Sequence, residues 1–228
     1  MEKQIQAVIF DMYETLVTQF SSPLYYGTQI ALDLCLFPEE FLPGWRATEQ
    51  DRATGNLTFE AVIERLMKEH GIYSAEKYRQ VVEKRIAIQA DCFTHLHPQI
   101  LPMLSELKAN GIKIGLITNC FSEEAMLIRE SELFPYFDAP CLSYELGVRK
   151  PNPAIFHVCM ETLGLPAENC LYVGDGGSQE LETARDLGMH AVQAAWYRRE
   201  DMEKLQAALR PDFMQVSEPM KLLPLLNT

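Results

Sequence analysis

Short apolar runs recur along most of the chain, and polar or glycine-containing stretches separate them. Such runs, bounded by turn residues, are typical of strands in a parallel sheet that is buried on both faces. The pattern predicts five strands, at Ala7–Phe10, Lys113–Thr118, Ala139–Ser143, Leu171–Gly174 and Ala191–Ala195.

Segments of helical character lie between the later strands. Their apolar side chains recur every three or four positions, and a glycine follows several of them as a stop signal. The predicted helices are Gln99–Asn110, Ser122–Ser131, Pro153–Leu163 and Ser178–Leu187. This alternation of strand and helix predicts an α/β sandwich around a parallel sheet.

The stretch between the first two strands departs from this alternation, because it contains no predicted strand. Thr58–His70 has an apolar stripe of helical spacing and begins with an N-cap threonine, and Ser74–Ala90 is predicted to be helical as well. We interpret residues 19–96 as a helical cap, inserted into an α/β core that residues 1–18 and 97–228 form.

Charge and cysteine usage narrow the functional classes. The chain has 20 basic and 32 acidic residues and a net charge of −12, which disfavours nucleic acids and anionic membranes as partners. Its apolar runs are far shorter than the roughly 20 residues of a membrane-spanning helix, and its polar start lacks a signal-peptide core. The six cysteines include no CxxC pair, so we expect free thiols and a cytoplasmic protein.

Polar side chains follow the predicted strands at four places. Ligands of open α/β sheets bind at the edge where the strands have their carboxyl ends. The candidate residues at that edge are Asp11, the pair Thr118-Asn119, Lys150 within Gly147–Pro153, and Asp175 with Glu180 in and after Gly174–Gly177.

Three of these residues are acids that the fold brings towards one another. Carboxylates at Asp11, Asp175 and Glu180 would repel and raise one another's pKa values unless a cation joins them. Oxygen ligands suit Mg²⁺, and Lys150 would balance the charge of a nucleophile and an incoming anion. Carboxylates, the hydroxyl of Thr118, a lysine and Mg²⁺ together favour phosphoryl transfer by in-line attack, in which Asp11 could be a nucleophile, a metal ligand or a structural group.

Together these four segments resemble the four motifs of the haloacid dehalogenase (HAD) superfamily, and the helical insertion resembles its C1 cap. The resemblance covers essentially the whole chain. It implies a three-layer Rossmann-like parallel sheet with an inserted α-helical cap domain, and a hydrolase that acts on a small-molecule substrate.

The resemblance also implies a role for each motif residue. Asp11 would be the nucleophile that forms an aspartyl intermediate, and Lys150 would stabilise both. Thr118 would donate a hydrogen bond to the transferred group, with Asn119 beside it. Mg²⁺ would be bound by Asp11, the backbone carbonyl of Tyr13 and Asp175, with Glu180 close to the metal.

Two residues after the nucleophile depart from the phosphatase pattern of this superfamily. Tyr13 stands where its phosphatases carry a second aspartate, which protonates the leaving group, and Glu14 stands where they carry a glycine. Glu14 would replace the missing acid if the turn delivers its side chain inward. A leaving group of low pKa, such as that of an acyl phosphate, would need no acid.

Three functions follow from these features. The metal-binding form of Gly174–Gly177 favours a Mg²⁺-dependent phosphatase that acts on a phosphate monoester or an acyl phosphate. Tyr13 resembles the 2-haloacid dehalogenase branch, which favours a carbon–halogen hydrolase. A weakly active or non-catalytic protein that binds a phospho-ligand is the third alternative.

Overall fold

A six-stranded parallel sheet forms the centre of this computed structural model, which describes residues 5–227. The strand order is β3-β2-β1-β4-β5-β6. Because the chain leaves β1 towards β2 on one side and β4 lies on the other, β1 marks the point where the strand order reverses. The strands are β1 Ala7–Phe10, β2 Lys113–Thr118, β3 Ala139–Leu142, β4 Cys170–Gly174, β5 His190–Ala194 and β6 Met214–Val216.

The predicted strands agree closely with the structure. β1 and β2 have the predicted bounds, β3 and β4 differ by one residue at one end, and β5 is shifted by one residue at both ends. No strand is predicted at β6, a three-residue edge strand whose first two side chains are exposed. An edge strand this short and polar has no apolar run by which it could be recognised.

Helices cover both faces of the sheet and fill the chain between β1 and β2. The α-helices are α1 Gly27–Asp33, α2 Pro38–Ala47, α3 Glu49–Ala53, α4 Phe59–Glu69, α5 Ala75–Asp91, α6 Ile100–Ala109, α7 Ser122–Glu130, α8 Ser143–Leu146, α9 Pro153–Leu163 and α10 Glu180–Asp186. Short 3₁₀ segments are Gln19–Ser21, Cys92–Thr94, Phe134–Tyr136, Ala167–Asn169, Glu200–Met202 and Pro219–Asn227. Within residues 5–227, no helix is long and apolar enough to cross a membrane.

Helix α10 begins two residues later than predicted. The sequence predicts a start at Ser178, whereas α10 begins at Glu180. Gln179 has a left-handed backbone, with a φ of 56°, which is incompatible with helical geometry at that residue. Ser178 therefore belongs to the loop that follows β4.

The alternating side chains of the strands build two apolar layers, one on each face of the sheet. Val8 and Phe10 of β1 pack on one face, together with α6 and α7. Ala7 and Ile9 pack on the other face, together with α9 and α10. This is the two-sided burial that the apolar runs predict.

Helices α1–α5 have an apolar core of their own. Phe41 of α2 packs with Phe59, Ile63 and Leu66 of α4 in a cluster separate from both sheet layers. The hydroxyl oxygen of Thr58 accepts a hydrogen bond from the N–H of Ala61, which confirms the predicted N-cap. A cap bounded at residues 19 and 96 remains a prediction, and an independent core is what such a unit requires.

A buried cluster of charges joins α5 to α7. Arg85 donates to Oε1 of Glu123 at 3.0 Å and to Oε1 of Glu124 at 2.7 Å, and its Nη1 donates to the carbonyl of Tyr25 at 2.9 Å. The side chain of Arg85 is only 2% exposed. Burial raises the pKa of Glu124 to about 7, although the charge of Arg85 opposes this rise. One guanidinium therefore holds two carboxylates at the junction between the helical segment and the sheet.

Removing the cation from this cluster should destabilise the protein strongly. Breaking a buried ion pair by deleting one partner costs about 3–5 kcal/mol, because a charge is left without compensation. We expect Arg85→Ala to lower the free energy of unfolding by that amount in urea denaturation. Arg79→Ala is the matched control, since Arg79 lies on the same helix but is 67% exposed and pairs with Glu83 at only 3.9 Å. Equal stability of the two variants would contradict this account of the cluster.

Candidate active site

The proposed nucleophile lies directly after β1, at the centre of the sheet edge. The N–H of Asp11 donates to the carbonyl of Val173 at 2.9 Å, which extends the pairing of β1 with β4 by one residue. Its carboxylate Oδ1 accepts a hydrogen bond from the N–H of Met12 at 2.8 Å. Burial raises the pKa of Asp11 and the nearby charge of Lys150 lowers it. The net direction is upward, so this carboxylate depends on its cationic partners to stay ionised.

Lys150 provides the closest of those partners. Its Nζ lies 2.6 Å from Oδ1 of Asp11, and its side chain is only 1% exposed. Nζ also donates to the hydroxyl oxygen of Tyr172 at 3.4 Å. The structure thus brings together the lysine of the third motif and the aspartate of the first.

Asn119 holds the backbone of Lys150 from the end of β2. Its Oδ1 accepts a hydrogen bond from the N–H of Lys150 at 2.8 Å, and its Nδ2 donates to the carbonyl of the same residue at 3.1 Å. Thr118 is fully buried at the last position of β2. Two hydrogen bonds of the side-chain amide of Asn119 therefore join the segment after β2 to the segment that contains Lys150.

The fourth motif is a tight loop that Glu180 closes. One carboxylate oxygen of Glu180 accepts from the N–H of Gly176 at 2.6 Å and the other from the N–H of Ser178 at 2.7 Å. A Cβ at Gly174 would lie 2.9 Å from Oε1 of Glu180, so only glycine permits this approach. The N–H of Gly177 donates to Oδ1 of Asp175 at 2.9 Å. Glu180 thus shapes the loop that presents Asp175.

The three acids meet as the sequence predicts. Asp11, Asp175 and Glu180 each offer a carboxylate oxygen, and these three oxygens lie within 4.8 Å of one another. The pKa of Asp175 is raised to about 7, chiefly by burial and then by the charges of Asp11 and Glu180. A hard divalent cation relieves this repulsion, and carboxylate oxygens are the ligands that it prefers. The residues present therefore fit Mg²⁺.

Glu14 faces the loop that follows it. Its backbone is left-handed, with a φ of 56°. One carboxylate oxygen accepts from the hydroxyl of Thr18 and the other from the N–H of Gln19, both at 2.8 Å. Burial raises the pKa of Glu14. Both oxygens are therefore engaged in holding the turn after β1.

Tyr13 lies on the opposite side of the site, towards α7. Its side chain is partly buried, and its hydroxyl has no hydrogen-bond partner among residues 5–227. Burial and the nearby charge of Glu124 raise the pKa of Tyr13 well above its usual value. The side chain is thus a neutral phenol whose ring borders a cavity.

Two positioning residues escaped the sequence analysis. The Nε2 of Gln193 on β5 donates to the carbonyl of Asp175 at 2.7 Å, and its Oε1 accepts from the N–H of Arg210 at 2.8 Å. The Nη2 of Arg210 donates to the carbonyl of Gly176 at 3.1 Å. For Gln193 the available signal was a glutamine inside a predicted apolar strand, because an amide buried there is normally hydrogen-bonded.

Residues 5–188 match the family model of haloacid dehalogenase-like hydrolases, and the chain belongs to this family. It is 31% identical to pyrimidine 5′-nucleotidase YjjG of Escherichia coli over 212 residues, which cover 86% of this chain and 88% of that protein. It is 31% identical to phosphoglycolate phosphatase of Yersinia pestis over 178 residues, 76% of this chain and 74% of that protein.

A further relative and a solved structure extend this picture. Glyceraldehyde 3-phosphate phosphatase of Methanopyrus kandleri is 32% identical over 133 residues, 58% of this chain, and the match spans about half of that protein, 56%. A HAD family enzyme of Bacteroides thetaiotaomicron, solved with magnesium and inorganic phosphate, superposes with a TM-score of 0.64 at 15% identity. The superposition covers 86% of this chain and 97% of that one, and it shows a shared fold.

Neutralising one of the three acids should stabilise the metal-free protein. Asp175→Asn removes a repulsive charge, and an amide oxygen can still accept the hydrogen bond from Gly177. We expect a gain of about 0.5–2 kcal/mol in unfolding free energy in EDTA, together with weaker Mg²⁺ binding in calorimetry. Asp186→Asn is the control, because the side chain of Asp186 on α10 is 74% exposed. A loss of stability in EDTA for Asp175→Asn would show that repulsion does not dominate the site.

Proposed function

We propose that this chain is a Mg²⁺-dependent phosphatase that works through an aspartyl-phosphate at Asp11. The observation that carries this proposal is the acidic trio of Asp11, Asp175 and Glu180, with Nζ of Lys150 at 2.6 Å from Asp11. A site with three carboxylates and one lysine suits a metal and a phosphoryl group better than a 2-haloacid, whose carbon–halogen bond can break without a metal. The phosphatase names of the relatives support the same reading.

Each residue of the site has its own role in the proposed reaction. The carboxylate of Asp11 attacks phosphorus, the bond to the leaving oxygen breaks, and water then hydrolyses the acyl phosphate to release phosphate and restore Asp11. Lys150 stabilises the ionised nucleophile and the transferred group. Asp11 and Asp175 would hold Mg²⁺ with the carbonyl of Tyr13, and Glu180 would orient the loop. When bound, the metal supplies charge neutralisation for the phosphoryl oxygens.

The nature of the leaving group follows from what stands beside the nucleophile. Tyr13 replaces the family's aspartate, and the carboxylate of Glu14 is engaged by Thr18 and Gln19. A positioned acid is worth about 10²–10⁴ in rate for a leaving group that must be protonated. We therefore propose a substrate whose leaving group has a low pKa, either an acyl phosphate or a phosphate monoester of an acidic hydroxyl.

The helical segment of residues 19–96 is proposed to be the cap of this site. Its independent core and its buried contact through Arg85 support this assignment. A cap excludes water from the reacting groups and contacts the substrate. The free thiols of all six cysteines suit a reducing compartment, which supports a cytoplasmic location.

The central test compares phosphate and chloride release. We expect phosphate release from phenyl phosphate and acetyl phosphate with Mg²⁺, none in EDTA, and a loss of about 10³-fold or more in Asp11→Asn. Asp186→Asn should retain full activity. Full activity of Asp11→Asn would exclude this nucleophile.

The same assay separates the alternatives. Chloride release from 2-chloropropionate without Mg²⁺ would establish the dehalogenase that Tyr13 favours. Binding of Mg²⁺ and phosphate without turnover of any substrate would identify a non-catalytic binding protein.

A second test addresses Glu14. If the carboxylate of Glu14 only holds the turn, Glu14→Gln lowers kcat for phenyl phosphate and for glycerol 3-phosphate by the same factor. The wild type then already prefers phenyl phosphate over glycerol 3-phosphate by about 10²-fold or more. This is the expected outcome. A selective loss on glycerol 3-phosphate, with a change in its pH–rate profile, would instead identify Glu14 as the proton donor.

A further inference from the structure

A cavity of about 190 Å³ lies between the helical segment and the sheet edge. Three residues of its wall belong to the motifs or lie close to them in sequence. Tyr13 follows Asp11 by two positions, Asn119 follows Thr118, and Arg149 precedes Lys150. Tyr26, Glu49 and Ala53 of the helical segment contribute to the opposite side. Its position beside the motif residues makes the cavity the candidate site for the leaving group of the substrate.

The volume of the cavity limits the leaving group. A protein cavity of about 150 Å³ holds one benzene molecule. By proportion, about 190 Å³ admits roughly seven or eight non-hydrogen atoms, whereas a nucleoside has about twice that number.

The charged groups of the wall are already paired. Nη1 of Arg149 lies 3.1 Å from Oε1 of Glu49, and Glu124 is held by Arg85 at 2.7 Å. The wall therefore carries two acids and one base, and its base is occupied. A second anionic group on the substrate would meet Glu49 and Glu124 without a free cation among the described wall residues.

A further arginine, Arg52, is not among the wall residues of this cavity. The guanidinium of Arg52 stacks on Trp45 at 3.7 Å and on the ring of Phe121 at 4.3 Å, and the residue is 2% exposed. Arg52 thus fixes Phe121, whose ring forms part of the wall, and Nη1 of Arg52 has no hydrogen-bond partner among residues 5–227. Together with the rings of Tyr13 and Tyr26, Phe121 gives the wall an apolar, aromatic character.

We propose that the leaving group of the substrate is compact, has no anionic substituent of its own and presents an apolar face to Tyr13, Tyr26 and Phe121. The inference rests on the proposed phosphatase function. It separates this chain from relatives named for phosphoglycolate or pyrimidine nucleotides, whose leaving groups are anionic or large.

Two pairs of substrates test the proposal with the wild-type protein and Mg²⁺. The pair of 2-hydroxyethyl phosphate and phosphoglycolate differs in one carboxylate, and the pair of phenyl phosphate and 1-naphthyl phosphate differs in size. We expect kcat/KM to favour the first member of each pair by about tenfold or more.

The outcomes distinguish this inference from the proposed function. Equal or faster turnover of phosphoglycolate overturns the charge argument, and equal or faster turnover of 1-naphthyl phosphate overturns the size argument, while both leave a phosphatase. No phosphate release from any of the four substrates overturns the proposed function and this inference with it.

A variant tests the charge argument directly. Glu49→Gln frees Arg149 to meet an anion, so the kcat/KM ratio of phosphoglycolate to 2-hydroxyethyl phosphate should rise by about five- to tenfold. Glu39→Gln on the exposed surface of α2 is the matched control and should leave that ratio unchanged. An unchanged ratio in Glu49→Gln would show that the pairing of Arg149 does not govern the charge preference.

Discussion

The repulsion among three carboxylates at one sheet edge, two of them buried and the third partly buried, is the constraint on which the site depends. Asp11, Asp175 and Glu180 converge there with a single lysine beside them. Their neighbours hold this unfavourable arrangement in place: Asn119 fixes Lys150, and Glu180 uses both oxygens to shape the loop that carries Asp175. Folding thus brings repelling charges together at a site that a bound divalent cation would stabilise.

The junction between the helical segment and the sheet has the opposite charge arrangement. There, one buried guanidinium, Arg85, holds Glu123 and Glu124, while helices α1–α5 pack around their own apolar cluster. A buried ion pair adds little net stability but fixes orientation, because its partners tolerate no displacement. This contact contributes to how the helical segment faces Asp11, and with it to the shape of the cavity between them.

How much of this could be read from the sequence depended on the range of the interactions. Strands β1 and β2 were predictable because a buried parallel strand is a local apolar run, and Asp11, Thr118 and Asp175 were predictable because they follow such runs. Arg85, Gln193 and Arg210 were not, because their partners lie far away along the chain or are backbone atoms. The contacts by which Glu180 closes its loop were not predictable either, because they go to backbone N–H groups, although its place near Asp11 was predicted.

The exchange of an aspartate for Tyr13 links the chemistry of the site to the shape of its substrate. The tyrosine supplies no carboxyl proton donor in the turn after Asp11, and its ring adds apolar surface to the cavity wall. An apolar wall whose charges are already paired suits the aryl or acyl part of a substrate. The phenolate or carboxylate that such a substrate releases leaves without protonation. One residue therefore favours the same class of substrate on two independent grounds, since the leaving groups that need no acid are also those that this wall accommodates.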